Sequence, residues 1–176
     1  LGVNVDRFTP VPAPASAPFT IGFLGKIIPE KGLHLLCGAY RDLRERGALE
    51  GCRIEVAGYL GPEHAAYWRS IEREVKAWGL ADEIRYRGEL DLDHKVVFLR
   101  ALDLYVVPAV YDDPKGIALL EAMAAGLVVV APDGGGPATY VLDGDTGFLT
   151  ATWDSARLEE AVDAALDRAA EAAADS

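Results

Sequence analysis

Two lysines lie five residues apart in a loop that leads from an apolar segment into a helical pattern. The loop reads Gly25-Lys26-Ile27-Ile28-Pro29-Glu30-Lys31-Gly32. A helix N-terminus presents free N–H groups and a partial positive charge, so lysines beside it can hold a diphosphate. Two solvated surface lysines are the alternative, and this loop taken alone favours that alternative.

A carboxylate, Glu121, lies inside the apolar helical segment 117–125, among Leu119, Leu120, Ala122, Met123 and Ala124. Burying an unpaired charge costs several kcal/mol, so this group needs a partner, and ribose or sugar hydroxyls are suitable donors. The carboxylate is therefore expected to face the mouth of the ligand cleft and to have no partner within the protein. Asp113 precedes it by eight residues on the loop before the helix, and Gly116 lets backbone amides approach a ligand closely. The alternative is an amphipathic helix whose glutamate points to water, but residues 122–125 give that helix no polar face.

Two further loops carry weaker signals. Residues 132–137 (P-D-G-G-G-P) permit close backbone approach, and an ordinary flexible turn would look the same. Residues 87–91 (R-G-E-L-D) follow another apolar segment and are a candidate base-binding loop. Neither loop decides a function alone.

Short apolar segments and helical patterns alternate along the chain, which predicts the scaffold for these loops. The apolar segments are 19–27, 52–60, 83–88, 104–110, 127–131 and 147–150. Leu104 to Val107 and Leu127 to Val130 are apolar at every position, as strands covered on both faces require. The alternation predicts an α/β, Rossmann-like, three-layer fold, with a parallel sheet of about six strands and helices on both faces. Ligands of such sheets lie beyond the carboxyl ends of the strands, where the four loops fall.

Composition excludes several classes of function. The 176 residues carry 28 acidic and 17 basic side chains, a net charge of −11, which disfavours nucleic acid and anionic lipid as partners. No apolar stretch is long enough to span a membrane, and the first residues do not form a signal peptide, so a cytoplasmic protein is expected. Cys37 and Cys52 are predicted to be reduced thiols, and the three histidines lack metal-ligand spacing, so no metal site is expected.

The chain also divides into two parts. Proline recurs between Pro10 and Pro18, which predicts a stiff, extended linker. Residues 1–18 are therefore interpreted as an interdomain segment and linker that stands apart from the globular body in 19–176. The Ala- and acid-rich tail 169–176 is expected to fray.

Taken together, the motifs resemble the C-terminal, donor-binding half of the GT-B glycosyltransferases, specifically the retaining family 4 (the group 1 transferases). Residues 2–10 (G-V-N-V-D-R-F-T-P) are similar to the segment by which such enzymes enter their second domain, and 23–32 resemble their phosphate loop. Residues 54–58 and 86–88 resemble two strand ends of the family. Residues 113–126 (D-P-K-G-I-A-L-L-E-A-M-A-A-G) resemble its signature, with the usual ending at 134–149. The match covers nearly the whole chain.

The resemblance implies a role for each matching residue. Lys26 and Lys31 would grip the donor diphosphate and, with Asp113, form the catalytic set. Glu121 would hold the ribose hydroxyls. Donor contacts are further implied for Gly25, Arg87, Gly88, Leu90, Gly116 and Ile117, the last two through backbone amides. The donor would be a nucleotide sugar such as a UDP- or GDP-sugar, with no cofactor and no metal, and transfer of a hexosyl group would retain the anomeric configuration.

Three departures from the family pattern bear on activity. Lys26 replaces an arginine and so lacks its bidentate fork. Asp113 replaces a glutamate, and Lys115 replaces an aromatic residue. The N-terminal acceptor domain is absent from this sequence, so the chain alone is expected to bind donor and to transfer little or nothing.

A non-catalytic nucleotide-sugar-binding module is the alternative function. A nicotinamide dehydrogenase is disfavoured, since no G-x-G-x-x-G fingerprint occurs. The base, the sugar, the acceptor and the oligomeric state are left open.

Overall fold

The structure, a computed structural model, describes residues 3–10, 18–110, 116–150 and 155–175. Within these ranges six strands form one parallel sheet in the order β3-β2-β1-β4-β5-β6. The strands are β1 (Thr20–Leu24), β2 (Arg53–Ala57), β3 (Ile84–Tyr86), β4 (Leu104–Val106), β5 (Val128–Pro132) and β6 (Gly147–Thr150). The predicted sheet is confirmed, and each strand lies inside its predicted apolar segment or within a residue of it.

Helices cover both faces of this sheet. The α-helices are α1 (Leu33–Glu45), α2 (Ala65–Ala77), α3 (Leu92–Arg100), α4 (Ile117–Ala124), α5 (Pro137–Tyr140) and α6 (Ser155–Ala174). The 3-10 turns are η1 (Val5–Phe8), η2 (Pro29–Lys31) and η3 (Pro62–His64). The expectation of a frayed tail from residue 169 is wrong, because α6 continues to Ala174.

Two apolar cores separate the three layers. Leu104 and Val106 of β4 pack into the core that contains α1, α2 and α6. Tyr105, between them, packs into the opposite core with side chains of α3 and α4. Side chains of a strand point alternately to its two faces, so a strand that is apolar at every position serves both cores. The uninterrupted apolar runs of the sequence therefore produce the three-layer fold.

The described part of the N-terminal segment packs on the body instead of standing apart from it. Phe8 in η1 is 2% exposed and lies in the core formed by α3 and α4. The Arg100 side chain donates a hydrogen bond of 2.9 Å to the Arg7 carbonyl oxygen. Residues 3–10 thus brace the outer face of the domain, and the proline-rich segment 11–17 lies outside the described residues.

The strand order reverses direction at the boundary between β1 and β4. The chain proceeds from β1 outward to β2 and β3, and then returns to β4 on the other side of β1. The loops after β1 and β4 consequently diverge and leave a crevice at the carboxyl edge of the sheet, which is the usual ligand position in this architecture. No helix in the described ranges is long and apolar enough to cross a membrane.

Candidate functional site

A small cavity of about 40 Å³ occupies the crevice between β1 and β4. Its lining combines the ends of both strands with the start of α4: Phe23, Leu24, Lys31, Tyr105, Val106, Val107, Gly116, Ala118, Leu119 and Pro137. Lys31 and Gly116 are 85 residues apart in sequence, and the fold brings them to one cavity. The structure therefore unites one residue from each of two sequence-predicted loops.

Two helices, α1 and α4, begin at this edge of the sheet. At the start of α1, the His34 N–H donates to the Tyr67 hydroxyl at 3.3 Å. The next two N–H groups, of Leu35 and Leu36, donate to the Gly32 carbonyl oxygen. The expectation that the helix after the lysine loop offers free N–H groups is thus wrong for three of its first four residues.

The N-terminus of α4 lies at the crevice itself. Gly116 caps this helix in the left-handed conformation, with φ of 54°, and has no side chain that could occupy the first N–H groups. Those N–H groups have no acceptor within the helix itself. The Leu120 N–H donates to the Gly116 carbonyl oxygen and closes the first turn of the helix. The start of α4, with its partial positive charge, therefore lies at the crevice.

The loop after β1 places its two lysines differently. Lys26 is exposed, whereas Lys31 is half-buried and lines the cavity. Gly25, just before Lys26, is held by β2, because its N–H donates to the Ala57 carbonyl oxygen at 3.0 Å. The Gly25 carbonyl also packs directly on Gly58, whose φ of 140° suits glycine. The loop thus has a rigid base.

The loop after β3 is hydrogen-bonded to Gly58 as well. The Gly88 carbonyl oxygen accepts a hydrogen bond of 2.9 Å from the Gly58 N–H. Arg87 forms a two-pronged ion pair with the buried Glu55 carboxylate of β2, at 3.0 Å for its terminal nitrogen. This hydrogen bonding raises the pKa of the Arg87 guanidinium above its ordinary value. Arg87 is therefore engaged by the protein, and Leu90, half-buried, follows on the same loop.

Glu121 is buried, and the expectation that it lacks a protein partner is wrong. Its side chain is 9% exposed, and Oε1 accepts a hydrogen bond of 2.8 Å from Lys95 Nζ on α3. The other oxygen, Oε2, is buried and has no hydrogen-bond partner among described residues. The carboxylate is thus half satisfied by the protein, with one acceptor left over.

The structure describes only some of the remaining predicted site residues. Ile117 is 41% exposed at the first position of α4. Asp113 and Lys115 lie outside the described residues. Pro137, from the glycine-rich loop after β5, lines the crevice beside Gly116. In the described ranges, no three His, Cys, Asp or Glu side chains are grouped as metal ligands would be.

Sequence reasoning missed four residues that shape this site: Glu55, Gly58, Tyr67 and Lys95. Glu55 carried a signal, since a charged residue stands inside a strand that is otherwise apolar. Gly58 lies at the end of the segment 54–58, whose resemblance to the family gave no indication that the Gly25 backbone packs on it. Tyr67 and Lys95 carried none, because their partners lie 33 and 26 residues away on separate elements.

A parallel sheet whose order reverses at a crevice, with a glycine-capped helix aimed at it, defines this protein as a Rossmann-like α/β domain. The family model described as "Glycosyl transferases group 1" matches residues 6–175. The chain therefore belongs to the group 1 glycosyltransferases, and the resemblance to the C-terminal half of a GT-B enzyme is confirmed.

Individual proteins agree with this placement. The chain is 33% identical over 171 residues to a phosphatidyl-myo-inositol mannosyltransferase of Mycobacterium leprae, covering 94% of this chain and 42% of that protein. The C-terminal domain of a group 1 glycosyltransferase (LpcC) from Francisella tularensis superposes with a TM-score of 0.83 at 24% identity, over 94% of this chain and 88% of that one. Anabaena HepE, solved with UDP, has a TM-score of 0.83 at 20% identity, over 98% of this chain and 48% of that one. The two structures show a shared fold, and the chain spans about two fifths of the curated relative.

Proposed function

We propose that this chain is the nucleotide-sugar donor-binding domain of a retaining, metal-independent glycosyltransferase. The whole enzyme would transfer a hexosyl group from an NDP-sugar to an acceptor, with an N-terminal acceptor domain completing the cleft. The observation that carries the proposal is the meeting of Lys31 with the glycine-capped start of α4 at the crevice between β1 and β4. A cation and the positive end of a helix on one concave surface suit a diphosphate.

The residues take complementary parts in this proposal. Lys31 and the amides at the start of α4 bind the diphosphate and offset the negative charge that grows on the departing nucleoside diphosphate, an electrostatic term of several kcal/mol in such sites. Lys26, on the exposed side of the loop, adds a second positive charge. Asp113 contacts the sugar that is transferred, and the amides of Gly116 and Ile117 contact this sugar as well as the diphosphate to which it is joined.

We assign the nucleotide base of the donor to the loop after β3, and its ribose to Glu121 on α4. Gly88 and Leu90 border the nucleotide base of the donor. Arg87 is held in place by its ion pair with Glu55 and forms a rigid part of the same surface. Glu121 accepts a hydrogen bond from the ribose through Oε2, which has no other partner in the described part of the chain. The relative from Mycobacterium leprae is a mannosyltransferase and HepE was solved with UDP. Both support a nucleotide sugar as the ligand class.

A nucleoside diphosphate should bind to this chain with no divalent metal present. Titration calorimetry with UDP, GDP and ADP, each in EDTA, measures this directly. We expect at least one of them to bind and to raise the melting temperature, since a ligand at a hundred times Kd stabilises by ~2.7 kcal/mol. Binding that requires Mg²⁺ would overturn metal independence, and no binding under either condition would overturn the donor-binding function.

Lys31→Ala should weaken that nucleoside diphosphate by about 10- to 30-fold. Lost charge-assisted hydrogen bonds in a half-exposed setting cost ~1.5–2 kcal/mol. The free energy of unfolding should change by less than ~0.5 kcal/mol, as is usual at partly exposed surface positions. Lys76→Ala, at an exposed position on α2, is the control and should leave affinity unchanged. Equal affinities for parent and Lys31→Ala would show that Lys31 is an ordinary surface residue.

A further inference from the structure

The two oxygens of the Glu121 carboxylate differ, because only one of them is paired with Lys95. Oε1 receives the Lys95 ammonium at 2.8 Å, and Oε2 is buried with no partner in the described ranges. A buried acceptor that is left without a donor is costly, and such groups are rare in folded proteins. Oε2 is therefore the carboxylate oxygen with the greater need for a further donor.

Lys95 lies on α3, a helix that is anchored in the apolar core by its buried side chains. The neighbouring Val96 is 9% exposed and Leu99, one turn later on α3, is fully buried. Leu99 lies in the same core as Leu119 and Ala122, which flank Glu121 on α4. Both ends of the ion pair thus stand on helices anchored in one apolar core.

This anchoring restricts where the carboxylate can point. An ammonium group is a compact charge with three donors, and one of them engages Oε1. With Lys95 removed, the Glu121 side chain would lose its described hydrogen bond and could rotate. The lysine accordingly does two things for the glutamate: it balances the charge, and it fixes the direction of the second oxygen.

We propose that Lys95 is a positioning residue that orients the Glu121 carboxylate so that Oε2 accepts a ribose hydroxyl of the nucleoside diphosphate. The inference rests on the proposed donor-binding function. Oε2 has almost no exposed surface. The hydroxyl therefore reaches it through side-chain adjustments of the size that ligand binding commonly produces. Lys95 acts through Glu121 and needs no contact with the ligand.

The test compares two ligands that differ only at the ribose. The first is the tightest binder among UDP, GDP and ADP, and the second is its 2′,3′-dideoxy analogue, each titrated into the parent chain and into Lys95→Met. Methionine keeps the length and apolar stem of lysine and removes the charge. We expect Lys95→Met to weaken the ribose ligand about five- to tenfold and the dideoxy analogue less than twofold. Lys76→Met on α2 is the matched control and should alter neither.

A purely structural role for Lys95 makes a different forecast. Loss of the same factor for both ligands, or no loss for either, would overturn the positioning role. So would a parent chain that binds both ligands equally, because ribose would then not be read at all. Failure of the parent to bind any of the three diphosphates would instead overturn the donor-binding function, so the two failures are distinguishable.

A second comparison covers the case in which Lys95→Met leaves the buried glutamate unpaired and fails to fold. The double variant Lys95→Met/Glu121→Gln removes both charges and leaves no unpaired ion. If Lys95 acts only through Glu121, this double variant and Glu121→Gln alone should bind the ribose ligand within twofold of each other. A double variant at least fivefold weaker than the single one would show that Lys95 acts independently of Glu121, and would overturn the inference.

Discussion

Gly58→Ala is expected to lower the free energy of unfolding by about 2–6 kcal/mol. A Cβ at this position would lie 1.7 Å from the Gly25 carbonyl oxygen, which is backbone and cannot swing aside. The φ of 140° adds strain for any residue with a side chain. Overpacking typically costs ~1–3 kcal/mol and an unfavourable backbone conformation ~1–3 kcal/mol, so the two together give the expected range. Chemical denaturation of parent and variant measures it.

Gly79→Ala separates the two causes. Gly79 also has a positive φ, of 76°, but no heavy atom lies within 4 Å of the added Cβ. It should therefore show the conformational cost alone, about 1 kcal/mol. Equal losses in the two alanine variants would mean that the Gly25 carbonyl oxygen gives way to the added Cβ at no cost. A loss at Gly58 above ~3 kcal/mol would exceed the conformational cost of either φ and would show that the loops after β1 and β2 are too closely packed here to move apart.

The sheet could be predicted because its signal is local. Leu127 to Val130 are apolar at every position, as a strand covered on both faces requires. The beginning and end of α4 were equally readable, since Gly116 and Gly126 both adopt positive φ on either side of it. Bounds of this kind depend on a few consecutive residues and on the backbone freedom of glycine.

The partners of buried charges could not be predicted in the same way. Glu55 meets Arg87 because β2 and β3 pair in a register that aligns Glu55 with Arg85, and Arg87 lies two residues further on the same face. Lys95 meets Glu121 because α3 and α4 share one core. Neither pairing leaves a trace in residue spacing, since each depends on how separate elements pack side by side. The sequence indicated that Glu121 needs a partner, and only the structure shows that the protein supplies one.

Glu121→Gln should change two quantities at once. Glutamine keeps the shape of the side chain but removes the charge and turns half of the group into a donor, so the hydrogen bond from the ribose hydroxyl fails. A hydrogen bond to a charged acceptor is worth ~1.5–3 kcal/mol, which predicts roughly a ten- to hundredfold loss of nucleoside-diphosphate affinity. Stability should fall as well, by about 1–2 kcal/mol, because Lys95 would keep a neutral partner in place of an ionic one. Calorimetric titration and denaturation of the same variant measure both.

The two effects separate the two roles of this glutamate. Glu72→Gln, at an exposed position on α2, is the control and should move neither quantity. A variant that is less stable but binds the diphosphate as the parent does would make Glu121 a structural ion-pair residue only. Loss of affinity with unchanged stability would show that the ion pair contributes nothing to folding. Loss of both is the result that the buried position, the Lys95 contact and the unpartnered Oε2 together require, since one carboxylate then serves the fold through Oε1 and the ligand through Oε2.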